Sequence, residues 1–248
     1  MPRSIKRASL TEQASEAIVE LIAERNLKAG DSLPGSGELA GMLDVSVPVV
    51  REAMAGLAAI GLLERHQGRE STVATPDSSH LSRLFALRVA GSAIDDEQLQ
   101  RFREIVEVGN ARLAARNRTP ESLAAIDEAM TVLAGVENAD DLHRADVAFH
   151  AAVAQAADND LCQLVLESLE PLLQRLRRRV WGGWVGQGGG FEPIAQAHRR
   201  ILEAIREGDE AGAGAAMTEH LDQARTGLEA AIRDGEQPVD PRAGFPGA

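Results

Sequence analysis

A chain of 248 residues and 26.4 kDa is long enough for one large domain or two modest ones. Its 44% hydrophobic content supplies a packed core and excludes wholesale disorder, and its net charge of −12 excludes a protein that holds nucleic acid by bulk charge alone. The longest apolar runs, such as Val180–Val185, are short and broken by glycine, and Met1–Leu10 lacks the apolar stretch of a leader. No membrane span or secretion signal is therefore expected. One cysteine, Cys162, suits a reducing compartment, so the expected location is the cytoplasm.

Aromatic residues make up only 3% of the chain, while Ala, Leu, Glu and Arg recur throughout, a composition that favours helices. The Pro76-Asp77-Ser78-Ser79 stretch divides the chain. Residues 1–76 hold 8 Lys/Arg against 10 Asp/Glu, net −2, and the remainder holds 18 against 28, net −10. The expected organisation is a first domain over 1–76, a linker at 77–79, a helical domain over 80–235 and a disordered tail over 236–248, which carries three prolines.

Ser9-Leu10-Thr11-Glu12 has capping-box spacing, and behind it Leu10, Ala14, Ala17, Ile18, Leu21 and Ile22 recur at helical period up to about Leu27. Leu33-Pro34-Gly35 reads as a turn. Ser36 is placed to cap a short helix carrying Leu39, Ala40, Met42 and Leu43, and Asp44-Val45 forms a tight connection. Ser46 is placed to cap a third helix, with Pro48 in its first turn, Val50, Ala53, Met54, Leu57 and Ile60 on its buried face, and Gly61 at its end. Leu62-Leu63-Glu64 and Ser71–Ala74 then read as two short strands joined around Gln67-Gly68.

Helix, helix, tight turn, helix, hairpin is the order of a winged helix-turn-helix, whose helix after the turn enters the DNA major groove. A generic three-helix domain with a hairpin has the same pattern.

The residues themselves are more specific. Gly30-Asp31-Ser32-Leu33-Pro34, Glu38-Leu39-Ala40, Val45-Ser46, Val50-Arg51-Glu52-Ala53-Met54, Leu57 and Gly61-Leu62-Leu63 stand in ungapped order and resemble the DNA-binding domain of the GntR family. That resemblance implies a bacterial transcription factor whose homodimer binds a pseudo-palindromic operator in double-stranded DNA. It places DNA contacts at Ser36, Ser46, Val47, Arg51, Arg65, Gln67, Gly68 and Arg69, with Arg3, Lys6 and Arg7 as a basic arm. Three positions depart from the family pattern: Gly37 and Val47 stand where arginines are usual, and the wing reads Gly68-Arg69-Glu70 rather than Gly-x-Gly.

Beyond the linker, helices are expected near 80–90, 96–117, 120–134, 138–157, 159–181, 191–207 and 209–232. The expected fold is thus mainly α, a winged helix-turn-helix followed by an antiparallel all-α bundle of six or seven helices. Gly182–Gly190, flanked and interrupted by Trp181 and Trp184, reads as a mobile glycine-rich loop.

Three histidines share an uncommon setting. His150 lies on a stripe with Leu142, Phe149 and Val153, with Asp146 one turn earlier. His198 falls among Ile194, Ile201, Leu202 and Ile205, and His220 among Met217, Leu221 and Ala224. Taken singly, each is equally a satisfied core histidine. Jointly, three imidazoles and a carboxylate on apolar helix faces suit zinc, nickel, manganese or iron with positions left open for a ligand. An unpartnered buried Asp146 is otherwise costly. His66, His80 and His143 read as incidental, at loops or helix ends.

Asp146-x-x-Phe149-His150, Asn159, His198-x-x-Ile201-x-x-Ala204-Ile205, Gly208-Asp209 and Met217-x-x-His220 resemble the FCD effector-binding domain of the FadR branch of the same family. In that domain an Asp and three His bind a divalent metal, and a small organic acid completes its coordination. On the second helix of this region, Arg103, Glu107 and Asn110 share one face. Arg103 is placed either to grip a carboxylate effector bidentately, with Glu107 and Asn110 as further effector contacts, or to form an ordinary i, i+4 surface pair with Glu107. The basic run Arg175, Arg177, Arg178 and Arg179 reads as a solvated face or an interface, with no ligand assigned to it.

These observations rank a ligand-responsive regulator first. A sensor with weakened or redirected DNA binding follows from Gly37, Val47 and Glu70. A metal-dependent hydrolase comes last, since its general base would have to be Glu107.

Overall fold

The computed structural model describes residues 8–66, 70–90 and 95–233, and divides the chain into two compact units, residues 1–81 and 82–248. Arg3, Lys6, Arg7, Gln67, Gly68, Arg69 and the expected tail lie outside the described residues.

The first unit holds α1 (Leu10–Glu24), α2 (Ser36–Leu43), α3 (Val47–Ala59), β1 (Leu63–Glu64) and β2 (Thr72–Val73). α1 begins with the expected reciprocal cap, Glu12 N donating to Ser9 Oγ at 3.1 Å and Ser9 N to Glu12 Oε2 at 2.6 Å. It ends earlier than its apolar period, because Asn26 turns into the left-handed region at φ 52°. Gly35, rather than Ser36, is the N-cap of α2; Ser36 is already its first residue. Asp44, at φ 53°, makes the tight turn into α3, and Ser46 caps α3 without a side-chain hydrogen bond.

Leu63 pairs with Val73 and Glu64 with Thr72 in the antiparallel wing, and Ser32 bridges to Thr72. Ile18, Leu33, Leu39, Val50, Leu57 and Leu63 form the core. Gly61 sits at φ +79°, and a Cβ there would lie 2.7 Å from the ring of His80, so this position closes over an imidazole that only glycine admits.

α4 (Ser78–Ala90) starts inside the expected linker: Ser78 and Ser79 are helical, and Asp77 caps the turn through bonds to the Ser79 and His80 amides. The second unit continues with α5 (Asp96–Asn117), α6 (Pro120–Ala134), α7 (Ala139–Ala156), α8 (Asp160–Gly186), α9 (Phe191–Glu207) and α10 (Glu210–Arg233). Polar caps start four of these helices: Asp95, Thr119, Asn138 and Asn159.

α10 packs on α5, α8 and α9, and α7 packs on α5, α6 and α8. Two apolar clusters result, one around Phe149, Met217 and Ile201 and one around Leu173, Leu176, Trp181 and Leu228.

The expected glycine-rich loop is a helix for half its length. α8 runs on to Gly186, and only 187–190 separate it from α9. The reason is a close helix crossing. A Cβ on Gly183 would lie 2.2 Å from the carbonyl oxygen of Gly227, and one on Gly227 would lie 2.3 Å from that of Val180. The two glycines let α8 and α10 meet backbone to backbone. Trp181 is fully buried beside them, and Trp184 Nε1 ties off the helix end by donating to the Gly190 carbonyl at 3.0 Å.

Candidate metal centre

Asp146 and His150 stand one helical turn apart on the core face of α7, His198 on α9 and His220 on α10, all buried. Packing of α10 against α9, and of α7 against α5 and α8, brings their polar tips together inside an apolar shell. Their potential ligand atoms all lie within 4.8 Å of one another. Asp146 Oδ1 is 3.2 Å from His198 Nε2, 3.6 Å from His150 Nε2 and 3.9 Å from His220 Nε2, and the His150 and His220 Nε2 atoms are 3.1 Å apart.

The protons on these rings are fixed by their outer partners. His198 Nδ1 lies 2.8 Å from the Ile194 carbonyl oxygen, which only accepts, so this nitrogen carries the hydrogen. In the neutral ring its Nε2 presents a lone pair to the Asp146 carboxylate oxygen, the orientation that metal ligation needs. His150 Nδ1 likewise lies 2.7 Å from Glu107 Oε2, which turns its Nε2 to the centre. Buried lone pairs converging on one point repel unless a cation lies among them. The donor set, three imidazole nitrogens and a carboxylate, is compatible with a divalent metal ion.

The electrostatics agree. Burial drives the His220 imidazole well below its usual pKa, with His198 and His150 adding to the effect, so it is neutral and able to ligate. Burial also opposes charge on His150, but the Glu107 and Asp146 carboxylates outweigh it and raise its pKa. Without a metal, a proton on His150 substitutes for the missing cation. Asp146 is held well below the carboxylate range despite burial, chiefly by His150 and His198.

Arg103 and Glu107 do not form a surface pair. Arg103 is completely buried and Glu107 nearly so, with Arg103 Nε 2.9 Å from Glu107 Oε1. Arg103 also donates to Gln100 at 3.2 Å, and Gln100 donates to the Leu221 carbonyl at 3.1 Å, next to His220. Asn110 is buried on the same face of α5, and its Nδ2 and the Nη2 of Arg103 have no hydrogen-bond partner.

Arg177, read from sequence as one of a solvated run, is buried at the centre: its Nη2 is 3.0 Å from Glu107 Oε1 and its Nε 3.2 Å from Asp146 Oδ2. Glu107, Arg177, His150 and Glu170 line the inner part of a cleft of about 480 Å³ between α7 and α8. His143 is also buried, within α7.

In the first unit, Ser36, Arg51 and Arg65 line one groove of about 460 Å³ with Gly35, His66 and Glu70. Ser46 and Val47 stand at the start of α3, Ser46 exposed and Val47 half-buried.

Comparison with known proteins matches both units. Residues 10–73 match the family of bacterial regulatory proteins called gntR, and residues 98–223 match the FCD domain. The chain is 32% identical over 203 residues to the HTH-type transcriptional regulator LutR of Bacillus subtilis, covering 81% of this chain and 93% of that one. It is 28% identical over 227 residues to the HTH-type transcriptional repressor NanR of Escherichia coli K12, covering 88% of this chain and 84% of that protein. A solved structure, Streptococcus agalactiae GntR, superposes with a TM-score of 0.63 at 27% identity, covering 87% of this chain and 98% of that one.

The chain belongs to the GntR family. It is a GntR transcription regulator with an N-terminal winged helix-turn-helix and a C-terminal FCD domain. No described helix of this GntR chain is long and apolar enough to cross a membrane. The comparisons are with regulators rather than enzymes. The residue of this GntR centre that sequence reasoning missed is Arg177. Its one available signal was position: it follows Leu173 by one helical turn and precedes Val180 and Trp181, an apolar stripe on α8.

Proposed function

We propose that this GntR-family regulator binds operator DNA as a homodimer in the cytoplasm, and that a divalent metal and a small organic acid in the FCD domain control that binding. Asp146, His150, His198 and His220 would hold the metal; zinc, nickel, manganese and iron all suit the donor set. The observation that carries this reading is the convergence of His198 Nε2 and Asp146 Oδ1, 3.2 Å apart, with His198 Nδ1 turned outward to the Ile194 carbonyl oxygen. Bound metal supplies a Lewis-acid anchor for a carboxylate.

This chain's own residues do the rest. Glu107 holds His150 in its ligating orientation. Arg177 joins Glu107 to Asp146 and reaches the cleft between α7 and α8. Arg103 Nη2 and Asn110 Nδ2 are buried donors without partners, suited to receive the oxygens of an acid. Ser36, Ser46, Val47, Arg51 and Arg65 form the DNA-facing surface in this reading, to which the sequence adds Gln67, Gly68 and Arg69, outside the described residues.

An acid shifts DNA affinity only if it binds one dimer geometry more tightly than another. The hydrolase reading is not favoured, because Arg103, His150 and Arg177 hold Glu107 well below the carboxylate range despite its burial, which makes it a poor proton acceptor.

The test is binding of sheared genomic DNA to purified metal-loaded protein, followed by competition with a panel of carboxylic acids. Enrichment of a palindromic site that is released by one acid, but not from metal-stripped protein, is the expected result. Release that is indifferent to the metal would remove the metal from the account.

A further inference from the structure

The surface that α3 offers to DNA differs in chemistry from the rest of the charged exterior. Val47 and Pro48 are the first two residues of α3. Pro48 is exposed; Val47 is half-buried, part of its side chain packed on the N-terminal core. Arg51 is exposed one turn on, four residues from Val47 and three from Pro48, so the three share one face. It is the only basic residue in α3, whose sequence is VPVVREAMAGLAA.

α2, SGELAGML, has no basic residue, and the space around Gly37 is open. The neighbouring carboxylate, Glu52, accepts from the Thr11 hydroxyl at 3.1 Å. The leading end of the helix is thus an apolar step with a single guanidinium behind it.

In the major groove each base edge shows hydrogen-bonding groups, and thymine alone adds a methyl group. The side chains of valine and proline neither donate nor accept. Against guanine O6 and N7, or cytosine N4, they would strip water from polar atoms without replacing it. Against the thymine C5-methyl they bury apolar surface on both partners. Both side chains are also stiff, Val47 by β-branching within a helix and Pro48 by its ring, so little rotamer entropy is lost on contact.

We infer that this regulator reads thymine methyl groups through Val47 and Pro48, with Arg51 supplying the one α3 contact to guanine in each half-site. The inference rests on the operator-binding reading above and adds the class of sequence recognised.

The test begins with duplexes retained by the full-length, metal-loaded protein from a random-sequence library. Each thymine of the retained site is then replaced by deoxyuridine, which keeps the pairing and the O4 acceptor and removes only the methyl. One or two thymines beside the guanine in each half-site should each lose about fourfold in affinity on replacement, the burial free energy of one methyl group. Pro48→Ser, at an exposed position, and Val47→Ala should each shrink that penalty. Arg51→Ala should weaken binding overall and leave the penalty in place.

Full affinity for the uridine duplex, to within about twofold, would overturn the inference, as would a penalty unchanged in both Val47→Ala and Pro48→Ser. Retention of no duplex at all would remove the operator reading itself, and the inference with it.

Discussion

His198 Nε2 and Asp146 Oδ1 face each other across 3.2 Å, with Nδ1 on the other side of the ring 2.8 Å from the Ile194 carbonyl oxygen. A backbone carbonyl that holds Nδ1 and turns Nε2 inward is the outer-partner arrangement of a metal-ligating histidine.

Metal should stabilise the folded chain, because the unfolded chain has no preformed site. Added at 100 times its dissociation constant, zinc should stabilise the wild type by about 2.7 kcal/mol. Asp146→Asn keeps the volume and removes the ligand charge, and its melting temperature should not respond to zinc. Thermal unfolding with and without metal reads both.

Metal binding should release a proton. Glu107 and Asp146 raise the pKa of His150 above its ordinary value against the effect of burial, so at pH 6.5 the metal must displace the proton. Affinity should therefore fall as pH drops through that raised value, by about tenfold per pH unit for one displaced proton. Calorimetry in buffers of different ionisation enthalpy counts the protons. Glu107→Gln removes one of the two carboxylates that hold the proton, and should lower the count near neutral pH.

Arg177→Leu should cost about 3–5 kcal/mol in urea unfolding, because it leaves the Glu107 and Asp146 carboxylates buried without their shared cation. Metal should recover part of the loss, since it supplies positive charge at the same point.

Gly183→Ala should cost about 1–3 kcal/mol by overpacking. The added carbon meets the Gly227 carbonyl oxygen and the Ala231 amide nitrogen, which are backbone atoms and cannot rotate away. Separation of α8 from α10 would also carry His220 off the centre, so the same variant should lose metal affinity, as a zinc titration would show.

Asp146, His150, His198 and His220 were legible in the sequence because polar residues at helical spacing on apolar faces have few explanations. The capping box at Ser9 and Glu12 and the turn at Asp44 were legible because their signals are local. Arg177 was not, since the run Arg175, Arg177, Arg178 and Arg179 reads as solvated, although only Arg178 of the four is exposed. Nor was the length of α8. Gly183 reads as a helix breaker until Gly227, distant in sequence, is known to face it. The Arg103–Glu107 pair has the same i, i+4 spacing on a surface or in a core, and only the packing of α5 against α7 and α10 decides which.

The most direct measurement is titration of zinc into metal-stripped protein, wild type against His198→Ala, with helix content checked by circular dichroism. The account predicts one equivalent bound per chain in the wild type and at least about a tenfold loss of affinity in an equally helical variant. Equal stoichiometry and affinity in His198→Ala would contradict a metal centre built on Asp146, His150, His198 and His220.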